Sequence, residues 1–266
     1  MQTITPHAYA DSEGLRAMQE SELKACREAF GELHPNTLVA KNNLGVTLRQ
    51  QGCLPQSRKL LESALKDCRH VRGKNHPDTM RAMNNLAMAL KDDGDAARAQ
   101  ELLTEVVAWR RREFGESHST TIDAMINLSS TLGALDAHDE EHALDFAVFK
   151  MRRRDLGDDH PKTIEALGNL GMSQNNVAVD LRKKGNLEDA EPLQWNALAM
   201  VEKAFGTNDP ITACVYSSIG MLLKLKGDVE QAIAYFHKAL IIRERELGSD
   251  AELTQLVRSR LREMLH

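Results

Sequence analysis

Apolar residues recur along this chain with a helical period. Leu38, Leu44 and Leu48 fall on one face of a 3.6-residue repeat, and Leu60, Leu61, Ala64 and Leu65 mark a second such face. No strictly alternating apolar–polar run, the sign of a half-buried strand, interrupts this pattern, so an all-α chain is predicted. The punctuation between helices is regular. Glycines at Gly31, Gly73, Gly115, Gly157, Gly206 and Gly248 are spaced 42, 42, 42, 49 and 42 residues apart. They open the related segments GELHPNT, GKNHPDT, GESHSTT, GDDHPKT, GTNDPIT and GSDAELT. Further along each period comes a small triplet, as at Asn43-Leu44-Gly45, Asn85-Leu86-Ala87 and Asn127-Leu128-Ser129. A break then follows at Gly52, Gly94, Asp136, Gly185 and Gly227.

Each period predicts two helices. Pro35, Pro77, Pro161 and Pro210 suit the first helical position, where a missing N–H costs nothing. The residues before them, His34, His76, His160 and Asp209, and His118 in the third period, are then N-caps, a role Asp fills well and His less well. The break residue ends the first helix in a left-handed conformation, and the next signature glycine closes the second. Five full pairs are expected at 35–72, 77–114, 119–156, 161–205 and 210–247. A lone second helix at 12–30 precedes them, behind a flexible N-terminus at 1–11, and its missing partner leaves an edge open to another protein. A lone first helix at 251–266 follows, with Arg258, Arg260, Arg262 and Glu263 suited to a solvated cap. Together these make twelve helices in one array spanning 12–266.

The fourth period carries seven extra residues and two Asn-apolar-small triplets, Asn169-Leu170-Gly171 and Asn176-Val177-Ala178. Seven residues are nearly two turns, so a continuous first helix would keep its face while lengthening by about 10 Å. Gly168 and Gly171 each weaken such a helix by up to ~1 kcal/mol and invite a kink. A bulge or short loop over 168–178 is the alternative.

At these residues the chain resembles a known family. The L-small-x-x-L pattern, the turn glycine and the small residues Ala99, Ala190 and Ala232 resemble the tetratricopeptide repeat. The 42-residue period with G-x-x-H-P-x-T and N-N-L-A is similar to its kinesin-light-chain subclass. The resemblance implies a right-handed α–α superhelix, a solenoid in which stacked pairs share one core. Ser57 and Glu141 depart from the pattern, standing where a small Ala lets two helices approach, so loose packing is expected in the third pair.

In such repeats first helices line the concave face, which places Asn43, Asn85, Asn127 and Asn176 in a column ending at Ser218. Carboxamides donate and accept, so the column suits the backbone of an extended peptide; the resemblance implies that use. Equally, these side chains would serve to hold neighbouring turns together. Asn42, Asn84 and Asn175 are expected to face the adjacent helix or the rim. Six residues beyond the first column lies a second, Arg49, Lys91, Gly133, Arg182 and Lys224, whose cations would favour an acidic segment or complement the helix dipole.

Composition narrows the function. The chain has 266 residues, 42% hydrophobic and only 4% aromatic, with net charge −5. That supplies no global basic field for nucleic acid and few rings for stacking single strands. No apolar run approaches the roughly 20 residues that span a bilayer, so no membrane insertion is expected. The start lacks the order of a secretory or transit signal. Cys26, Cys53, Cys68 and Cys214 lack C-x-x-C spacing, which points to a reducing, cytoplasmic setting without disulfides or zinc. Arg110-Arg111-Arg112 and Arg152-Arg153-Arg154 stand one period apart and are expected to complement helix dipoles. His138-Asp139-Glu140-Glu141-His142 has two histidines four apart. It lacks Glu at the catalytic place and a third ligand, and is expected to span a turn, so no metal role is assigned. With no nucleophile elbow or phosphate loop visible, neither enzymatic activity nor a cofactor is expected. The reading is a scaffold that holds a peptide or partner helix, possible acidic character included. The alternative is a permanent subunit of a larger assembly, using the convex face and the N-terminal edge.

Overall fold

A computed structural model describes residues 6–265, with side chains from 13 to 264. Its helices are α1 (Pro6–Phe30), α2 (Pro35–Gln50), α3 (Leu54–Arg72), α4 (Pro77–Asp92), α5 (Ala96–Phe114) and α6 (Ser119–Gly133). Then follow α7 (His138–Leu156), α8 (Pro161–Lys183), α9 (Leu187–Phe205), α10 (Pro210–Lys226), α11 (Val229–Leu247) and α12 (Glu252–Leu265). The fold is all-α, built from repeated helix pairs. The helix α1 begins at Pro6, ahead of the expected residue 12, and residues 1–5 of the expected flexible N-terminus lie outside the described residues.

The helices gather into two compact units, Met1–Asp136 and Ala137–His266. In the first unit each helix packs on its successor, and the first helix α4 also touches both α2 and α6. In the second unit successive helices pack the same way, and α8 touches α10.

The recurring histidine, threonine and glycine of the signature serve the backbone. The ring Nδ1 of His34, His76, His118 and His160 accepts the N–H two residues on, at 3.1–3.3 Å, as Asp209 Oδ1 does at 2.7 Å. Histidine therefore caps all four helices it precedes, which requires the proton on Nε2. The signature threonine ties the loop from within. Thr37, Thr79, Thr121 and Thr212 donate from Oγ1 to the carbonyl of Gly31, Gly73, Gly115 and Gly206, at 2.7–2.8 Å. Thr163 departs from this, its Oγ1 buried without a partner. The signature glycine is obligatory for another reason: Gly73 has φ 83° and ψ 166°, a region essentially closed to residues with a side chain. The break after each first helix is less demanding, because Asp136, with φ 55°, is the single positive-φ non-glycine among the described residues.

Within a pair the helices meet at small residues. A Cβ on Gly45 would lie 2.6 Å from Leu61, and one on Gly220 would lie 3.0 Å from Phe236. Ser57, at the expected small position, is buried and donates from Oγ to Gly45 O at 2.7 Å. Ala99, Ala190 and Ala232 are fully buried at the equivalent places.

The long fourth period resolves as helix. Its first helix, α8, has 23 residues where α4 has 16 and α10 has 17, and it runs unbroken through 168–178. The two glycines expected to weaken it make room for α9 instead. A Cβ on Gly168 would stand 2.2 Å from Phe205, and one on Gly171 would stand 2.9 Å from Met200 and Val201. Helix propensity is given up here for close approach.

Candidate functional site

In the first unit α2, α4 and α6 bring Asn43, Asn85 and Asn127 into equivalent positions. Asn43 is exposed. Asn85 Nδ2 donates to Asn42 Oδ1 at 3.1 Å, and Asn127 Nδ2 donates to Asn84 Oδ1, also at 3.1 Å. The asparagine pair of each period therefore acts as two different parts. One amide reaches back from the column, and the other, on the preceding helix, receives it. This matches the expectation that Asn42 and Asn84 face a neighbouring helix. Each rung engages a single amide hydrogen, so Asn85 and Asn127 keep a carbonyl oxygen and a second N–H outside any intramolecular bond.

The cationic column of this unit is engaged by the next first helix. Arg49 Nη1 lies 2.8 Å from Asp92 Oδ2, and Lys91 Nζ donates to Ser130 Oγ at 2.9 Å. These pairs run from one repeat to the next and are partly exposed, where an ion pair contributes at most about 1 kcal/mol. They hold the long side chains in place more than they stabilise.

In the second unit the asparagine position is wired differently. Asn176 Nδ2 donates to Glu141 Oε2 at 3.2 Å. Glu141 also faces His138 Nδ1 at 3.0 Å, while His138 Nε2 stands 3.8 Å from Asp180. The departure at Glu141, expected to loosen the third pair, thus carries a polar network onto α8. The His138–His142 segment lies wholly in the opening turns of α7, not across a turn, and His142 faces Ser173 Oγ at 3.5 Å. Asn175 is buried, with its Oδ1 unpartnered. Ser218 Oγ turns back to its own helix, donating to Cys214 O at 3.2 Å. Lys224 Nζ pairs with Glu263 Oε2 at 3.0 Å. Arg182 keeps its Nε buried and unpartnered.

None of the partners Asp92, Ser130 and Glu263 was expected to meet these cations, Glu263 being read only as part of a solvated cap. A signal existed: Ser130 and Glu263 stand 39 residues beyond their cations, and Asp92 stands 43 beyond Arg49. Arginines of both triplets are engaged by nearby groups. Arg110 donates to Thr120 O, and Arg152 donates to Lys162 O at 2.8 Å and meets Glu165 at 3.1 Å. Arg112 pairs with Glu113 and Arg154 with Asp155, beside each in sequence.

Among the described residues no group of three or more His, Cys, Asp or Glu is placed to hold a metal ion. The four cysteines are free thiols, and burial pushes the Cys68 thiol up from its ordinary range. No described helix is long and apolar enough to cross a membrane.

A family profile described as "Tetratricopeptide repeat" matches residues 37–111, 81–145 and 172–245. No curated protein sequence matches the chain. Among solved structures, a Podosopora anserina protein described as a kinesin light chain with nearly identical TPR-like repeats aligns at 19% identity and TM-score 0.58. The alignment covers 80% of this chain and 97% of that one. BtubC (BKLC) from P. vanneervenii aligns at 16% identity and TM-score 0.60, covering 91% of this chain and 94% of that one. At such identities the likeness concerns the fold.

Proposed function

Because the chain belongs to the tetratricopeptide-repeat family, whose repeats serve as protein-interaction scaffolds, we propose that it is a non-enzymatic adaptor that holds an extended segment of another protein along its first helices. The observation that carries this reading is the pair of asparagine rungs. They fix Asn85 and Asn127 from one side and leave hydrogen-bonding capacity on the other. A fixed amide loses little side-chain entropy when it meets a ligand, so the rungs preorganise the row rather than compete with it. Amides pair with a peptide backbone without reading its side chains, and cations near the row bias the choice toward acidic segments. The residues proposed are Asn43, Asn85 and Asn127 with Arg49 and Lys91 in the first unit, and Asn176 with Arg182 and Lys224 in the second. The free thiols support a reducing, cytoplasmic setting.

Titration of the chain with acidic, neutral and basic extended peptides at two salt concentrations tests the reading. Acidic peptides are expected to bind most tightly, with affinity falling as salt rises. Equal affinity across the three classes would remove the electrostatic part. Retained binding by the Asn85→Ala/Asn127→Ala double variant would remove the amide row.

The rival reading, a permanent subunit of a larger assembly, draws on Ile241, 66% exposed on the second helix α11. Its N-terminal edge is mixed: α1 exposes Leu15 and Met18, while Glu22 stands one period before Ala64, which is buried core in α3.

A further inference from the structure

The column of first-helix cations follows a rule that one member breaks. Lys91 reaches Ser130 and Lys224 reaches Glu263, each 39 residues on. Arg49 has Met88 at that distance and uses Asp92, one turn further. Arg182 occupies the same position on α8. The residues at those two distances are Met221 and Leu225, neither of which carries a carboxylate. Its Nε is buried without a partner, and no carboxylate pairs with it among the described residues.

The charge that Arg182 does sense is of its own sign. Burial and then the Arg260 guanidinium push it below the ordinary arginine range. Arg260 sits on α12 at the place corresponding to Asn43 on α2. It is lowered in turn by burial and by Arg243, with Glu263 opposing. Arg260 lies over the Phe236 ring, 6.0 Å from its centroid, and makes no ion pair among the described residues. Its neighbours are occupied: Glu263 holds Lys224, and Arg243 donates to Leu253 O at 3.0 Å. Among the described residues neither guanidinium makes an ion pair of its own, and Glu263 acts on Arg260 only at a distance.

We infer that Arg182 and Arg260 form a binding site for a phosphoryl group carried on the bound segment, an inference that rests on the proposal that the first helices hold a polypeptide. A phosphorylated side chain brings a charge of about −1.5 to −2 and three acceptor oxygens. That charge matches two cations without an ion pair among the described residues, and the oxygens match the planar forks of arginine, which bind phosphate bidentately. A single carboxylate would neutralise one guanidinium and leave the other. Arg260, expected in a solvated cap, is instead half-buried over the Phe236 ring.

The first test follows the Arg182 Nε–H resonance, assigned through Arg182→Lys, while inorganic phosphate is added against chloride at matched ionic strength. A saturable shift is expected with phosphate alone; its absence would overturn the site. Leu225→Asp supplies the carboxylate that Arg182 lacks, at the spacing Asp92 uses for Arg49. Leu225 is 53% exposed, so the fold tolerates the exchange. This variant is expected to weaken phosphate binding about tenfold or more, as is Arg260→Gln, and undiminished binding in both would overturn the pairing. Degenerate peptide pools centred on phosphoserine, serine or Glu-Glu then identify the carrier. Preferential retention of the phosphoserine pool is expected, and equal retention of the Glu-Glu pool would overturn the phosphoryl assignment. If no pool is retained while phosphate still shifts Arg182, the peptide-holding proposal fails and only a free-anion site survives. If all pools are retained and phosphate shifts nothing, the inference fails and that proposal stands.

Discussion

Asn127 on α6 reaches back to Asn84 on α4, its Nδ2 donating to the Asn84 Oδ1 at 3.1 Å. The rung repeats one period earlier between Asn85 and Asn42. Of two adjacent asparagines, one therefore reaches back to the preceding repeat and the other receives the amide of the next. Asn84→Ala separates those tasks, because it removes the acceptor while leaving Asn127 in place. It is expected to lower stability in urea unfolding by about 0.5–1.5 kcal/mol, the worth of one net hydrogen bond. Peptide binding is expected to weaken less than with Asn127→Ala, which removes both the rung and the outward amide. Equal losses of binding from the two variants would show that Asn127 acts only as a structural tie.

The close approach of paired helices makes a second expectation. Replacing a glycine by alanine in a free helix gains up to about 1 kcal/mol. At Gly45 the new methyl would lie 2.6 Å from Leu61, and at Gly168 it would lie 2.2 Å from Phe205. Both substitutions are expected to destabilise, by about 1–3 kcal/mol, as overpacking does. In a double-mutant cycle Gly45→Ala with Leu61→Ala should cost less than the sum of the single changes. Additive costs would mean that the two side chains do not compete for the same space.

How far the chain could be read in advance depended on whether a residue's task was local. Gly73, His76, Pro77 and Thr79 act within one loop, so their recurrence marked where a second helix ends and the next first helix begins. The length of α8 was legible because seven residues keep a helical face. Lateral partners were not legible. Whether Asn85 faces a ligand or Asn42 depends on the offset between α2 and α4, which no single helix encodes. For the same reason Arg260 read as a solvated cap residue, although the ring beneath it, Phe236, belongs to another helix. The spacing of His138 and His142, to which no metal role was assigned, gave no hint of what His138 does: in space it meets Glu141 and Asp180, and the group is a polar tie.

The histidine caps give a third expectation. His118 Nδ1 accepts from the Thr120 N–H at 3.3 Å, and its ring stacks on Phe114 with centroids 4.9 Å apart. His118→Ala removes both interactions and is expected to cost about 1 kcal/mol or somewhat more, the loss of an N-cap plus part of a ring contact. His118→Asn keeps a cap acceptor without the ring and should recover most of the loss. Failure of Asn to recover it would place the stabilisation in the stacking instead of the cap.

The last expectation concerns acid. Lys41 is 2% exposed, yet the next two repeats carry Met83 and Met125 at its position. Its ammonium is held by Asp67 at 2.8 Å and by Glu32. Hydrogen bonding from Lys41, against an opposing desolvation, holds the Glu32 carboxyl below its ordinary range, with Arg27 assisting. A carboxyl lowered on folding contributes stability above the unfolded carboxylate range, near pH 4.3, and that contribution is lost as pH falls through the folded value. Lys41→Met removes the cause of the lowering. At neutral pH the variant is expected to be less stable by about 1–3 kcal/mol, because Asp67 loses its cation in a half-buried place. As pH falls below about 4.3 the gap between wild type and variant should narrow, since protonation of Glu32 ends what Lys41 gave it. Urea unfolding of both proteins at pH 7, 5, 4 and 3 measures that gap, and parallel curves throughout would show that Lys41 stabilises by packing, independently of the charge on Glu32.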